Sequence, residues 1–193
     1  MKNFIAFLFL VIIYSCSTLK NVKAIKNISP DQQELLQGEA LQKAYKTYSL
    51  QIPETWYSYR DVHGHIMHSP KVMRKRGHNF YENNFYVTEY STKVCNAKSR
   101  KELLAFYTKR MKKFYPRINI VPQKFLHKKY GVYYLMKYTT SWHKKKLFTN
   151  VDVLYHYNNR NFILRYNSEN KYYDEFIKDV ASIINSFTIK ETN

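Results

Sequence analysis

The stretch GVYYLMKYTTSW (Gly131–Trp142), with NVDVLYHY (Asn150–Tyr157) and NFILRYN (Asn161–Asn167) after it, decides the fold. Tyr, Val, Ile and Phe dominate all three segments, and these side chains suit a pleated, half-buried surface. In the first segment Val132, Tyr134, Met136, Tyr138 and Trp142 share one face by the period of two. Three strands are therefore predicted. A helix is predicted next, from about Asn170 to Asn185, because Tyr173, Phe176, Ile177, Val180 and Ile184 recur at steps of three and four. A sheet with an apolar face needs a cover, and this helix is placed to supply it.

Composition bounds the rest. At 193 residues the chain fits one domain plus appendages and has enough length for a core without disulfide staples. Its 19 tyrosines imply many rings with an apolar body inward and a hydroxyl outward. The four glycines, Gly38, Gly64, Gly77 and Gly131, are scattered, which excludes a glycine-rich phosphate cradle. A formal net charge of +18 favours anionic surfaces such as phospholipid head groups, envelope polymers or nucleic acid. Solvated turns account for the same charge without any ligand.

The N-terminus points to a compartment. Lys2 precedes the apolar run Phe4–Ile13, which is too short to span a bilayer and fits the apolar region of a signal peptide. Ile13-Tyr14-Ser15-Cys16 follows and resembles a bacterial lipobox: an aliphatic residue, then a small one just before the cysteine, with Tyr14 bulkier than usual between them. The resemblance implies cleavage before Cys16 and acylation of Cys16. Several acyl chains together hold a protein stably on a leaflet. Residues 1–15 are then a signal peptide and residues 16–45 a tether. Ser29-Pro30-Asp31-Gln32 offers a helix start within that tether. With Cys16 acylated, Cys95 lacks a partner in the chain and reads as a small buried hydrophobe.

The domain is expected to begin at residue 46 and run to 190. Thr47–Ile52 reads as a strand ended by Pro53-Glu54-Thr55-Trp56. Tyr57–Val62 and His65–His68 read as a hairpin, Ser69–Asn79 as a basic loop, and Phe85–Thr92 as a strand. Ser99-Arg100-Lys101-Glu102 is a capping box that opens a helix to about Phe114, with Leu103, Leu104, Tyr107 and Met111 as its buried stripe and Pro116 as its stop. Ile118–His127 reads as a strand turning into Gly131–Trp142, and Ser186–Ile189 as an extended tail.

The segment YSLQIPETW (Tyr48–Trp56) resembles the opening "strand, Pro, polar residues, Trp" signature of PsbP-like proteins. The strands from Gly131 onward and the closing helix ending at Ile184-Asn185-Ser186-Phe187 are similar to that family's C-terminal half. The resemblance covers most of Lys46–Lys190, and its motifs are short. It implies an α/β (α+β) fold, an antiparallel β-sheet flanked by helices in an α/β/α sandwich. It also implies non-catalytic binding or assembly, as in the bacterial lipoproteins of that family.

Candidate site residues are few. His63, His65 and His68 form the densest imidazole cluster and are weighed as ligands for Zn or Cu, against a solvated hairpin with polar ends. Lys71, Arg74, Lys75 and Arg76, with Lys144, Lys145 and Lys146, are weighed as anion-binding groups, and Lys112/Lys113 and Lys128/Lys129 are further basic pairs. Tyr130 and Trp142 lie near these groups and offer stacking surfaces for single-stranded nucleic acid. A location in the envelope argues for lipid head groups instead. Nucleophile elbows, His-Glu-x-x-His and phosphate-binding loops are missing from the sequence, and Glu89, Asp152 and Glu169 are scattered carboxylates. The expectation is an outer-membrane lipoprotein facing the periplasm, without a cofactor or nucleic-acid partner, that binds an envelope protein or anionic lipid. The alternatives are a polyanion-binding module and a metal-dependent hydrolase using the histidine region.

Overall fold

The computed structural model describes residues 47–61, 65–77, 82–142 and 146–191. The signal peptide, the tether, Cys16, His63, Lys144 and Lys145 lie outside the described residues, as does the side chain of Trp142.

Seven strands form one wholly antiparallel sheet: β2 (Trp56–Arg60), β3 (Ile66–Pro70), β4 (Asn83–Tyr90), β5 (Gln123–His127), β6 (Gly131–Trp142), β7 (Lys146–Tyr157) and β8 (Arg160–Glu169). Their spatial order is β2-β3-β4-β8-β7-β6-β5. The sequence-decisive meander β6–β7–β8 thus makes one half, and β4 joins it by pairing with β8 along its full length, Asn83 opposite Ser168 through Tyr90 opposite Asn161. The β7–β8 hairpin closes through Asn158 and Asn159, both with positive φ (48° and 58°), between the paired Tyr157 and Arg160. Asparagine tolerates this left-handed backbone better than most residues, and the resulting two-residue turn matches the twist of the flanking strands.

The pleat gives each face its own helix. Phe85 and Val87 of β4, Val151, Val153 and Tyr155 of β7, and Phe162, Leu164 and Tyr166 of β8 form one buried face. Onto it packs α3 (Asn170–Asn185), which buries Phe176, Val180 and Ile183. The alternate residues Met136 and Tyr138 of β6, Leu154 of β7 and Ile163 of β8 face the other way, against Leu103, Tyr107 and Met111 of α2 (Arg100–Phe114). The result is the expected α/β/α arrangement. Cys95 is buried in the second cluster as an unpaired thiol.

Local chemistry explains the ends. Ser99 caps α2 by accepting from the Glu102 backbone N–H at 3.2 Å. The Glu102 carboxylate reaches back to the Lys98 N–H at 2.9 Å, one residue earlier than a capping box requires. Trp56 is anchored to α3 twice: its indole N–H donates to Asp179 at 2.8 Å, and its ring meets Phe176 edge-on.

Four expectations are corrected. The strand expected over Thr47–Ile52 is only β1 (Tyr48–Ser49), because Gln51 donates its N–H to the Ser186 hydroxyl rather than to a strand partner. The tail expected to be merely extended contains β9 (Thr188–Ile189), which pairs with β1 in a separate two-stranded sheet. Residues expected as a basic loop after His68 instead complete β3 and form a short helix, α1 (Lys71–Lys75), with Pro70 at its N-cap where a missing N–H costs nothing. The strand expected over Ile118–His127 is only Gln123–His127. Pro116 and Pro122 lack ladder donors, and Ile118 and Ile120 pack onto the α2 cluster from irregular backbone.

Candidate functional site

The imidazole cluster does not assemble. His68 lies within β3 and His65 just before it, three residues away, an odd step that parts the two in extended chain. His65 is exposed and lies 3.1 Å from Asp61. His68 is fully buried, with its Nδ1 2.7 Å from the Ser58 hydroxyl and its ring beside Phe85. Burial pushes the His68 imidazole down to about 3, so it stays neutral and acts as packing. Among the described residues no group of three His, Cys, Asp or Glu side chains is arranged to hold a metal ion.

The cations singled out in the sequence are partly engaged already. Arg76 forms a forked pair with Glu175 of α3 at 2.8 and 3.0 Å, and its guanidinium lies over the Tyr172 ring. Lys146 sits 2.6 Å from Glu82 and 3.8 Å from Glu169. These pairs tie α1 to α3 and the start of β7 to the β4 and β8 ends. Lys71 is half-buried, while Arg74 and Lys75 are exposed on the same short helix. Tyr130 is no stacking platform. It is buried against Tyr155, Tyr157 and Phe187, and its hydroxyl accepts from the Ile189 N–H at 2.9 Å.

The strongest polar centre is one that sequence reasoning passed over. Asp152 of β7 is 0% exposed and sits directly opposite Arg165 of β8. Arg165 donates from Nε to Asp152 Oδ1 at 2.6 Å and from Nη2 to Oδ2 at 3.0 Å. Tyr107 of α2 and Tyr138 of β6 each donate to Oδ2 at 2.5 Å. Arg165 also contacts the Tyr107 and Tyr86 hydroxyls and the Met111 sulfur. Burial and the Asp152 charge push both phenols, Tyr107 and Tyr138, well above the ordinary tyrosine value. Both carboxylate oxygens are taken and no water reaches them, so this centre rivets α2 to the sheet and offers no free acid or base. The signal for it was Val-Asp-Val within one strand, facing Leu-Arg-Tyr in the next.

Open surface chemistry gathers on α2 instead. A shallow concavity of about 500 Å³ lies over its outer side, lined by Lys101, Leu104, Ala105, Thr108, Lys109 and Lys112. Its floor is apolar and its walls are ammonium groups and one hydroxyl.

Comparison with solved structures now has a geometry to match. The solution structure of cyanobacterial PsbP (CyanoP) from Synechocystis superposes with a TM-score of 0.52 over 75% of this chain and 87% of that one, at 9% identity. The fold is PsbP-like. A crystal structure of LpqN, described as involved in cell envelope biogenesis of Mycobacterium tuberculosis, matches over 75% of this chain and 83% of its own, with a TM-score of 0.48 and 13% identity. No protein-family model and no curated protein matches the sequence. The PsbP-like likeness stands on three-dimensional architecture, and at such identity it speaks to the fold alone. Among the described residues no helix is long and apolar enough to cross a membrane.

Proposed function

We propose that the chain is a bacterial envelope lipoprotein, acylated at Cys16, whose PsbP-like body binds or assembles with a partner rather than transforming a substrate. One observation carries the binding half: the buried groups with catalytic potential are committed to the framework. Asp152 is saturated by Arg165, Tyr107 and Tyr138, and His68 is sealed beside Ser58. The lipobox at Ile13–Cys16 supports the anchoring half. The partner is an envelope protein or an anionic lipid, and the periplasmic face of the outer membrane is the site.

Metabolic labelling with a clickable palmitate analogue tests the anchor. Wild-type chain should carry label and stay with membranes washed in high salt, and Cys16→Ser should lose both. Label and membrane retention persisting in Cys16→Ser would refute it. Turnover of a substrate by the purified body would refute the binding half.

A further inference from the structure

The charge of this protein is unevenly placed. Residues 100–130 contain ten of the 32 Lys and Arg residues but only one of the 14 acidic residues, Glu102, and so carry half of the net charge of +18. Elsewhere five carboxylates are spent on neighbouring cations: Glu175 on Arg76, Glu82 on Lys146, Glu89 on Arg160, Asp152 on Arg165, Glu169 on Lys171. Among the described residues, no carboxylate pairs with exposed Lys101, Lys109, Lys112, Lys113, Arg117 or Lys124. Glu102 itself is turned to the Lys98 N–H and the Ser99 hydroxyl.

These cations border apolar side chains that stand in water. Phe114 follows Leu103, Tyr107 and Met111 at helical spacing, yet it is 61% exposed while those three are buried. The Arg110 guanidinium lies 5.6 Å from its ring. Tyr115 is also exposed, and Val121 is 67% exposed although Ile118 and Ile120 beside it pack inward. Two of the cations, Lys112 and Lys113, also answer the carbonyl end of α2. The other cations have no such local reason.

The flank also has a fixed relation to the tether. Arg100, at the start of α2, donates to the Tyr130 carbonyl at 3.1 Å. Tyr130 in turn accepts from Ile189, which pairs with Tyr48. One end of the basic flank, with Lys128 and Lys129 in the turn before β6, therefore adjoins the place where residues 1–46 join the body.

We propose that the α2 flank is a docking surface for anionic phospholipid: the lysines engage head-group phosphates, the Leu104–Ala105 floor takes the adjoining apolar segment, and Phe114, Tyr115 and Val121 enter the interface. Exposed aromatic and aliphatic side chains ringed by cations are the chemistry of a lipid–water boundary, which a soluble polyanion does not require. The inference rests on the lipoprotein reading only for the nearness of the membrane, and the test below bypasses the anchor.

The mature chain, residues 16–193, carrying Cys16→Ala is sedimented with phosphatidylcholine vesicles, with or without about 30% phosphatidylglycerol, at about 50 and about 500 mM salt. Binding should need phosphatidylglycerol and weaken at high salt. Lys109→Glu/Lys112→Glu should weaken it by roughly 30-fold or more, at about fivefold per lysine removed. Lys137→Glu/Lys178→Glu, which changes net charge equally at exposed sites on β6 and α3, should leave it within about twofold of the parent, since these charges lie off the flank. Phe114→Ala/Tyr115→Ala should lower vesicle binding while leaving binding to dextran sulfate unchanged. Equal loss in the two lysine pairs would overturn the proposal in favour of diffuse charge. So would equal binding to neutral vesicles, or vesicle binding indifferent to Phe114 and Tyr115. The last result would assign the flank to soluble polyanions.

Discussion

His68 makes the fold acid-sensitive in a way that one substitution should remove. In the folded chain its imidazole protonates only near about 3, because burial disfavours the charged form. In the unfolded chain it protonates near about 6.5. Above about pH 6.5 both states are neutral there, and this residue gives stability no pH dependence. Below it the unfolded state takes up a proton that the folded state refuses, so stability falls as pH drops, until the folded value is reached. The slope approaches about 1.4 kcal/mol per pH unit, which integrates to about 2 kcal/mol between about pH 6.5 and 4.5. That is a large share of an ordinary domain's stability, about 5–15 kcal/mol. His68→Gln keeps a neutral polar group near Ser58 and cannot protonate. Urea denaturation, followed by the fluorescence of buried Trp56, should be run on both chains across this range. Wild type should lose about 2 kcal/mol relative to the variant on acidification, because every other titrating group is common to both. Parallel stability curves would show that the imidazole is not excluded from protonation, and the reasoning would fail.

Asp152→Asn should destabilise the fold by about 3–5 kcal/mol in the same assay, because Arg165 is left without its counter-charge. A single variant within about 1 kcal/mol of wild type would contradict the rivet role. Gly131→Ala should also destabilise. Gly131 has φ of +72°, and an added Cβ would stand 2.6 Å from the Arg100 guanidinium, so Arg100 must give up its bond to the Tyr130 carbonyl. Thermal denaturation should show a loss of about 1–3 kcal/mol, and an unchanged midpoint would refute the close approach.

The elements that local pattern determines were legible. Alternation placed Met136 and Tyr138 on one face of β6, and steps of three and four placed Phe176 and Val180 inward on α3. The bounds Gly131–Trp142 and Asn170–Asn185 follow from the sequence because each element keeps one period from end to end. What depends on distant partners was hidden. Asp152 looked like a scattered carboxylate, because its meaning comes from a register that sets it opposite Arg165 and beneath Tyr107 of a helix 45 residues earlier. Ile118 and Ile120 alternate as in a strand, but the prolines on either side removed that option. For the histidines, the period of two already parted His65 from His68. The proposed docking flank was half visible: Lys112, Lys113, Lys128 and Lys129 stood out as charge, but that no described carboxylate pairs with them, unlike Arg76 and Lys146, is a fact of three dimensions.

The small ladder of β1 and β9 has a mechanical meaning. It is only two residues wide on each side, reinforced by Arg160, which clasps the carbonyls of both Thr47 and Lys190 at 3.0 and 2.7 Å. A body hung by its upstream chain would feel any tug from a bound partner first at Tyr48, where the strands peel pair by pair like a zipper. The seven-stranded sheet, with its far longer ladders, would outlast that stitch. Yielding would therefore lengthen the leash while the folded body kept its grip.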